Sequence, residues 1–208
     1  MYGSAGSSSA AIEAALTLCG TPFRVVGAAS WEPASALDAL GRANPLLQIP
    51  TLVLPGDVGV LTESAAILIH LGLAHPASGL LPAEPATRDQ AIRGLVFIAA
   101  NCYAAIGVID YPERWCSDAT EPMKQAIRSG ARARLHHYWE VFADTFPAAQ
   151  GFYGGAAPGA LDLLAAVVSR WSGARTHVWA ERPAFSALLG RIDADPRVAP
   201  VFARHWPG

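Results

Sequence analysis

Glu63 and Ser64 place a carboxylate and a hydroxyl in the first turn of a helical pattern over residues 66–73. The start of a helix exposes unpaired backbone N–H groups and the positive end of the helix dipole, which attract anions. Ser64 and these N–H groups could hold a carboxylate while Glu63 holds an ammonium group, so the pattern suits an amino-acid clamp. The alternative is an ordinary helix cap, with Thr62 at the N-cap and Glu63 favouring the dipole.

Pro50 directly precedes a predicted strand over residues 51–54. Proline cannot donate a hydrogen bond to a β-ladder, which confines it to strand starts and edges. A cis Ile49–Pro50 bond would expose the Ile49 backbone to a peptide-like ligand. A trans proline at a loop-to-strand junction is the commoner arrangement, so this position alone does not decide between them.

Three consecutive serines, Ser7, Ser8 and Ser9, lie in the glycine-containing loop before the first helical pattern. One interpretation is a turn closed by an N-cap serine. A second is a nucleotide-phosphate loop. The phosphate loop is excluded, because the segment has neither a GxxxxGK[ST] motif nor the third glycine of GxGxxG.

The elements that must position these side chains alternate in type over the first 75 residues. Strands are predicted at residues 24–26, 51–54 and 58–61, and helices around Ile12, Leu16 and Cys19, over residues 34–40 and over residues 66–73. The order indicates a small α/β unit with a mixed sheet. Residues 77–86 are predicted as a linker, and residues 87–208 as an all-helical region with helices at 88–109, 121–146, 161–171, 183–192 and 195–204.

Composition narrows the possible functions. The chain has 208 residues, of which 52% are hydrophobic and 15% charged, so it can form a sizeable core and is not disordered. Its net charge is −2, which leaves no basic surplus for nucleic-acid binding. No stretch of the sequence looks suited to crossing a membrane. The three cysteines have no CxxC spacing and the six histidines are scattered, so we expect no disulfide framework, no metal site and a cytoplasmic location.

Taken together, three segments resemble the glutathione transferase family: YGSAGSSSAAIEAAL, NPLLQIPTLVL and LTESAAILIHL. The second half resembles the helical domain of that family through residues 93–115 and 159–171. The resemblance implies a thioredoxin-like N-terminal domain, residues 1–76, with a mixed four-stranded sheet. It also implies an all-α C-terminal helical domain, a homodimer, and glutathione as co-substrate without a metal.

The resemblance also implies a glutathione site. The Ile49 backbone, before a cis Pro50, would bond to the cysteinyl part of glutathione. Glu63 and Ser64 would bind the γ-glutamyl end, which agrees with the clamp pattern. Gln48 would line the same groove.

In the family, a Tyr, Ser or Cys near the start of the first helix donates a hydrogen bond to the glutathione sulfur. Alignment through Gly20 and Pro22 places the cysteine of beta-type members on Ser8 and the serine of theta- and zeta-type members nearer Gly6. Ser8 is therefore the first candidate. Ser7 is the second, and Ser9 the third, since Ser9 could be only the N-cap. Without a cysteine in this loop, thiolate activation is favoured over a mixed disulfide.

Three aromatic residues, Tyr103, Tyr111 and Trp115, are candidates for the acceptor-substrate pocket, with core packing as the alternative. The function implied by the resemblance is conjugation of the glutathione thiolate to a small apolar electrophile. Glutathione-dependent reduction or isomerisation on the same fold, and a non-catalytic glutathione-binding or scaffold protein, are the alternatives.

Overall fold

The computed structural model describes residues 1–32, 34–56, 58–146, 148 and 151–207. Its strands are short: β1 is Tyr2–Gly3, β2 is Val26–Gly27, β3 is Leu52–Val53 and β4 is Val60–Leu61. β1 pairs with β2 in parallel, and β3 pairs with β4 in antiparallel orientation. An antiparallel bridge joins the two pairs, since the Tyr2 N–H donates to the Thr51 carbonyl oxygen at 2.8 Å and the Thr51 N–H donates back at 3.2 Å. The order β2-β1-β3-β4 is the predicted mixed sheet.

Three helices accompany this sheet: α1 is Ser9–Leu18, α2 is Leu37–Ala43 and α3 is Ser64–Ala74. The first helix is buried from Ser9 to Leu16 because it packs on α3 on one side and on helices of the C-terminal half on the other. The predicted helix at residues 34–40 is displaced toward the C-terminus, since the helical hydrogen bonds start after Ala36 and run past Gly41.

The C-terminal half is helical, as the sequence predicts. Its elements are α4 (Pro85–Phe97), a π-helical segment (Ile98–Tyr103), α5 (Ala104–Asp110), α6 (Glu121–Thr145), α7 (Ala160–Val168), α8 (Ala174–Glu181), α9 (Pro183–Ala194) and α10 (Ala199–His205). The prediction missed α8, whose sequence ARTHVWAE buries only Ala174 and Val178. α4 begins inside the segment assigned to the linker, because the Glu84 carboxylate accepts from the Ala86 and Thr87 N–H groups and caps the helix.

α7 is the central helix of this half, and all of its residues are buried. Its Asp162 carboxylate accepts hydrogen bonds from the backbone N–H groups of Tyr153, Gly154 and Gly159, each at 2.9 Å. The Gly159 bond is the reach back to the helix cap that the sequence predicts. Burial raises the pKa of Asp162 to about 6, against the effect of these three donors.

One sequence prediction about membranes needs correction. Within the described residues, the continuous helix from Pro85 to Asp110 is long and apolar enough to cross a membrane by length and composition alone. In this structure it packs against α6 and α7, and apolar helices that pack within a helical domain meet the same criterion.

Candidate functional site

A cavity of about 880 Å³ opens where the serine loop, the loop before β3, the start of α3 and the α4–α5 helices meet. It collects nearly all the residues that the sequence analysis singled out. These are Ser7, Ser8, Gln48, Ile49, Pro50, Glu63, Ser64, Tyr103, Tyr111 and Trp115. Ser9 is the exception, because it is fully buried behind the loop.

Two glycines allow the serine loop to fold against α1. Gly6 has a φ of +68°, a conformation that residues with a Cβ rarely adopt. At Gly3, an added Cβ would lie 2.7 Å from the Ser9 Cβ, so only glycine fits there. The chain can therefore turn tightly and present the residues after Gly6 to the cavity.

The three serines have different environments. Ser7 and Ser9 bond to the loop itself: the Ser7 and Ser9 hydroxyls donate to the Ser4 carbonyl oxygen at 2.7 and 3.0 Å and lie 2.8 Å apart. Ser8 stands apart from this network, because its hydroxyl donates to the Ile49 carbonyl oxygen at 3.2 Å, and both residues line the cavity.

The suggestion that Ser9 is the N-cap was wrong. α1 begins at Ser9, and the cap position is Ser8, whose side chain makes no capping hydrogen bond. The Ser8 hydroxyl is thus aimed at the loop that carries Ile49.

The Ile49–Pro50 peptide bond is cis, which confirms the prediction made from the segment around it. Two buried side chains hold the preceding loop. Asn44 donates through Nδ2 to the Gln48 carbonyl oxygen at 3.0 Å, and the Thr51 hydroxyl donates to the same oxygen at 2.8 Å. These bonds tie the loop before the cis bond to the start of β3.

Glu63 occupies the cap position of α3, which corrects the placement of Thr62 there. Its φ of +64° and ψ of 112° lie outside the regions favoured by residues with side chains, and its carboxylate makes no capping hydrogen bond. Strained residues of this kind cluster at ligand sites. Glu63 and Ser64 therefore both face the cavity at a helix N-terminus, where the first N–H groups are unpaired.

Aromatic side chains line the other side of the cavity. The Tyr103 ring lies edge-on to Trp171, with ring centroids 5.8 Å apart. The Arg114 guanidinium carbon lies 3.9 Å from the centroid of the Tyr111 ring. Trp115 is 66% exposed to solvent. All three aromatic residues line the cavity, and Tyr103 also packs against the hydrophobic core, as the core-packing alternative expects.

Burial raises the pKa of Tyr103 to about 12. The neighbouring Ser8 side chain opposes part of this rise through a hydrogen bond, whereas the charges of Asp110 and Glu63 add to it. The Tyr103 hydroxyl therefore keeps its proton at neutral pH.

The sequence analysis missed several residues that line the cavity, among them Trp31, Asp110, Arg114 and Trp171. Asp110 lies seven residues after Tyr103, which places both on one face of a regular helix, so this spacing was a usable signal. Burial raises the pKa of Asp110 above its usual value. Trp171 had been assigned to a core stripe with Leu164, and both in fact border the cavity. No cluster of His, Cys, Asp and Glu side chains suited to a metal ion occurs within the described ranges.

Comparisons with known proteins agree with this geometry. Residues 7–73 match the family described as glutathione S-transferase, N-terminal domain. An uncharacterized GST-like protein of Escherichia coli, YncG, is 36% identical over 128 residues, which span 61% of this chain and 62% of that protein. A sphingomonad glutathione S-transferase, solved with glutathione, is 25% identical with a TM-score of 0.77, covering 100% of this chain and 98% of the other.

The glutathione S-transferase of Xylella fastidiosa has the same fold, with a TM-score of 0.82 at 23% identity and coverage of 98% of this chain and 97% of that one. The matches to solved structures thus extend over both halves, and the match to the family covers the half that carries the serine loop and the start of α3. Residues 7–73 thus match the N-terminal domain of glutathione S-transferases, and the chain as a whole has the fold of solved glutathione S-transferases, with a thioredoxin-like N-terminal domain and an all-α C-terminal domain.

Proposed function

We propose that this protein is a glutathione transferase that conjugates glutathione to a small apolar electrophile. The observation that carries the proposal is the meeting, in one cavity, of the Ser8 hydroxyl, the Ile49 backbone before the cis bond, and the Glu63–Ser64 pair at the start of α3. Each group complements a different part of a γ-glutamyl peptide that carries a thiol.

In this proposal the amino-acid end of glutathione binds at the start of α3. Its carboxylate accepts from the Ser64 hydroxyl and from the unpaired N–H groups of the first helical turn, and its ammonium group pairs with the Glu63 carboxylate. The Ile49 backbone bonds to the cysteinyl unit, and Gln48 lines the groove beside it. This arrangement directs the sulfur toward the serine loop.

Ser8 is the proposed activating residue. A free thiol has a pKa of about 8.5, and a hydroxyl donor at a helix N-terminus lowers it by stabilising the thiolate. The thiol proton leaves to solvent. The thiolate electron pair then forms a bond to the electrophilic carbon, and the leaving group departs with the electrons of the bond that breaks. The aromatic side chains of Tyr111 and Trp115 hold the electrophile.

We further propose that the protein acts as a homodimer in the cytoplasm. Several apolar side chains on β3, α3, α4 and the turn before β4 are exposed, among them Val53, Val58, Leu73 and Val96. Contiguous exposed apolar surface marks protein interfaces, and these side chains would be covered by the second subunit. Sedimentation analysis should give twice the mass of one chain, and a monomer would contradict this part of the proposal.

The decisive experiment combines binding and turnover. Calorimetry should detect glutathione binding to the parent protein, and addition of a generic aromatic electrophile with a halide leaving group should give the thioether conjugate. Absence of glutathione binding would contradict the whole proposal. Binding without conjugation of any of several electrophiles, but with reduction of a disulfide or isomerisation of a substrate, would point to the other reactions that the fold supports.

A further inference from the structure

The cavity contains a basic side chain that the proposed function does not use. Among the described residues that line it, Arg114 is the only one with a positive charge, whereas Glu63 and Asp110 are acidic. We propose that Arg114 binds a carboxylate on the electrophile, so that the preferred substrate has an apolar aromatic body with a carboxylate substituent. This inference rests on the proposed function, because it names the substrate class of the same site.

The first support is that Arg114 has no acidic partner within the described ranges of the chain. Asp110 lies four residues earlier, a spacing at which acidic and basic side chains pair on a regular helix. α5 ends at Asp110, however, and Tyr111 leaves the helical conformation with a φ of −130° and a ψ of 59°. The helical turn that would bring the two charges together is therefore not formed, and the guanidinium is available to a ligand.

The second support is the place of Arg114 beside the aromatic residues that hold the electrophile in the proposed function. Its guanidinium carbon lies 3.9 Å from the centroid of the Tyr111 ring, and Trp115 is the next residue in the chain. These three residues follow α5 in the C-terminal half, whereas every residue proposed to bind glutathione belongs to the N-terminal half. The positive charge thus accompanies the acceptor side of the cavity.

The geometry of Arg114 suits a planar anion. A guanidinium that lies against the face of a ring presents its N–H groups at its edges, where they can donate two parallel hydrogen bonds to one carboxylate. The turn that carries Arg114 is itself held, because the Arg114 N–H donates to the Tyr111 carbonyl oxygen at 3.1 Å and Pro112 is buried. The turn and the ring contact reduce the conformational freedom that Arg114 loses when it binds a ligand.

The acidic residues of the cavity limit the charge and the orientation of the substrate. The negative charges of Asp110 and Glu63 both act on Tyr103. They repel an anionic substituent from that side of the cavity, while Arg114 attracts it, so one orientation of the substrate is favoured. Because a single cation stands against two acidic side chains, a carboxylate with one charge fits better than a phosphate ester with two.

The test compares Arg114→Gln and Arg114→Lys with the parent, and Arg93→Gln is the matched control. Arg93 also lies over an aromatic ring, with its guanidinium carbon 5.1 Å from the Phe146 centroid, but it is not among the described residues that line the cavity. The probes are a chlorodinitrobenzoate and its uncharged amide, which share one aromatic body. In both, the glutathione thiolate bonds to the ring carbon that bears chlorine, and chloride leaves with the electrons of the broken bond.

The measured quantity is kcat/KM for each probe, divided by the rate constant of its uncatalysed reaction with glutathione. The parent should prefer the benzoate. Arg114→Gln should lower this quantity for the benzoate by about five- to twentyfold, the range for a charge-assisted hydrogen bond that is partly open to solvent. For the amide it should change by less than about twofold. Added salt should weaken the preference of the parent, since it screens the charge of Arg114.

The two control variants separate charge from geometry. Arg114→Lys keeps the charge without the planar fork, so its preference for the benzoate should fall between those of the parent and Arg114→Gln. Arg93→Gln should match the parent with both probes. An equal loss with the benzoate in Arg93→Gln would show that the effect comes from the total charge of the protein and would overturn the inference.

Glutathione itself carries a second carboxylate, on its glycyl residue, which Arg114 could bind instead. Calorimetry distinguishes the two carboxylates through γ-glutamylcysteine, which lacks the glycyl residue. Arg114→Gln should leave the affinities for glutathione and for γ-glutamylcysteine within about twofold of the parent values. A loss of affinity for glutathione alone would assign Arg114 to the glycyl carboxylate and overturn the inference.

Two kinetic results would also overturn the inference while leaving the proposed function intact. One is a parent protein that conjugates the amide as well as the benzoate, after division by the uncatalysed rate constants. The other is an Arg114→Gln variant that loses activity equally with both probes, which would make Arg114 a general part of the cavity wall. A parent protein that binds no glutathione and conjugates neither probe would instead contradict the proposed function, and the inference with it.

Discussion

Glu13 on α1 and His205 at the end of α10 form a buried pair, with 2.8 Å between Glu13 Oε1 and His205 Nε2. Both side chains are at least 90% buried. The pair joins the helix that follows the serine loop to the last helix of the C-terminal domain, and the residues at the end of α10 lie next to Gly6. The Glu13–His205 pair therefore helps to hold in place the loop that contains Ser8.

His205→Ala should destabilise the protein strongly. It leaves the Glu13 carboxylate buried without its imidazole partner, and breaking a buried pair in this way costs roughly 3 kcal/mol or more. Urea denaturation measures the change in the free energy of unfolding. Arg204→Ala is the matched control, because Arg204 also reaches Glu13, at 3.4 Å, but is largely exposed and should contribute less than about 1 kcal/mol. Equal effects of the two variants would contradict the role given to His205.

The glutathione clamp gives a second prediction. Ser64→Ala removes a donor to a carboxylate, and hydrogen bonds to charged groups are worth roughly 1.5–3 kcal/mol, so glutathione should bind about ten- to a hundredfold more weakly. Calorimetry is the measurement. Thr62→Ala, two residues earlier and not among the described residues that line the cavity, should leave affinity unchanged. If Ser64→Ala binds as tightly as the parent, the start of α3 does not hold the γ-glutamyl end.

The raised pKa of Asp162 leads us to expect an unusual dependence of the free energy of unfolding on pH. Its pKa is about 6 in the folded chain and near its ordinary value of 3.8 in the unfolded chain, so the folded state binds the proton more tightly. Protonated Asp162 therefore stabilises the fold, and its contribution to the free energy of unfolding is fully present below about pH 4. This contribution, about 2–4 kcal/mol in total, is lost as the pH rises through 6.

The check is the free energy of unfolding of Asp162→Asn and the parent, measured by urea denaturation between about pH 4 and 7. The amide that this substitution introduces does not titrate, so the difference between the two curves should narrow as the pH rises. The variant should still be less stable overall, since only one atom of the amide group, its oxygen, can accept from the three backbone N–H groups. A constant difference across this range would show that Asp162 titrates alike in both states.

Local signals made much of the fold and site predictable. The cis bond before β3, the start of α3 and the serine loop are each encoded within about ten residues, where turn and cap chemistry act directly. The exceptions have physical reasons. The Glu13–His205 pair joins residues 192 positions apart, and no local pattern marks such a contact.

The sequence also could not predict the π-helical segment or the different environments of the three serines. A π-helical turn has the composition of an ordinary helix, and only packing reveals it. The serines are identical in type, so their roles depend on which hydroxyl the fold directs inward. Gly3 and Gly6 set that direction through the path of the backbone, and the structure assigns Ser8 to the cavity and Ser9 to the interior.

The last prediction separates the three serines. Ser8→Ala should raise the pKa of the bound thiol, lower the rate at neutral pH and restore it at high pH, because the thiolate then forms without a donor. Glutathione affinity should change little, since the Ile49 and Ser64 contacts remain. Ser7→Ala should leave the pH profile in place, because its hydroxyl already donates to the Ser4 carbonyl oxygen at 2.7 Å.

Ser9→Ala should act on stability instead. The Ser9 hydroxyl donates to the Ser4 carbonyl oxygen at 3.0 Å and accepts from the Ser4 N–H at 3.2 Å, and it is fully buried. Its removal leaves the buried Ser4 N–H group unpaired, at a cost of about 1–3 kcal/mol, while the thiol pKa stays near that of the parent. The measurements are a pH–rate profile and a urea denaturation curve for each of the three variants. Three profiles that overlay the parent would mean that activation depends on the dipole of α1 and its backbone N–H groups rather than on Ser8.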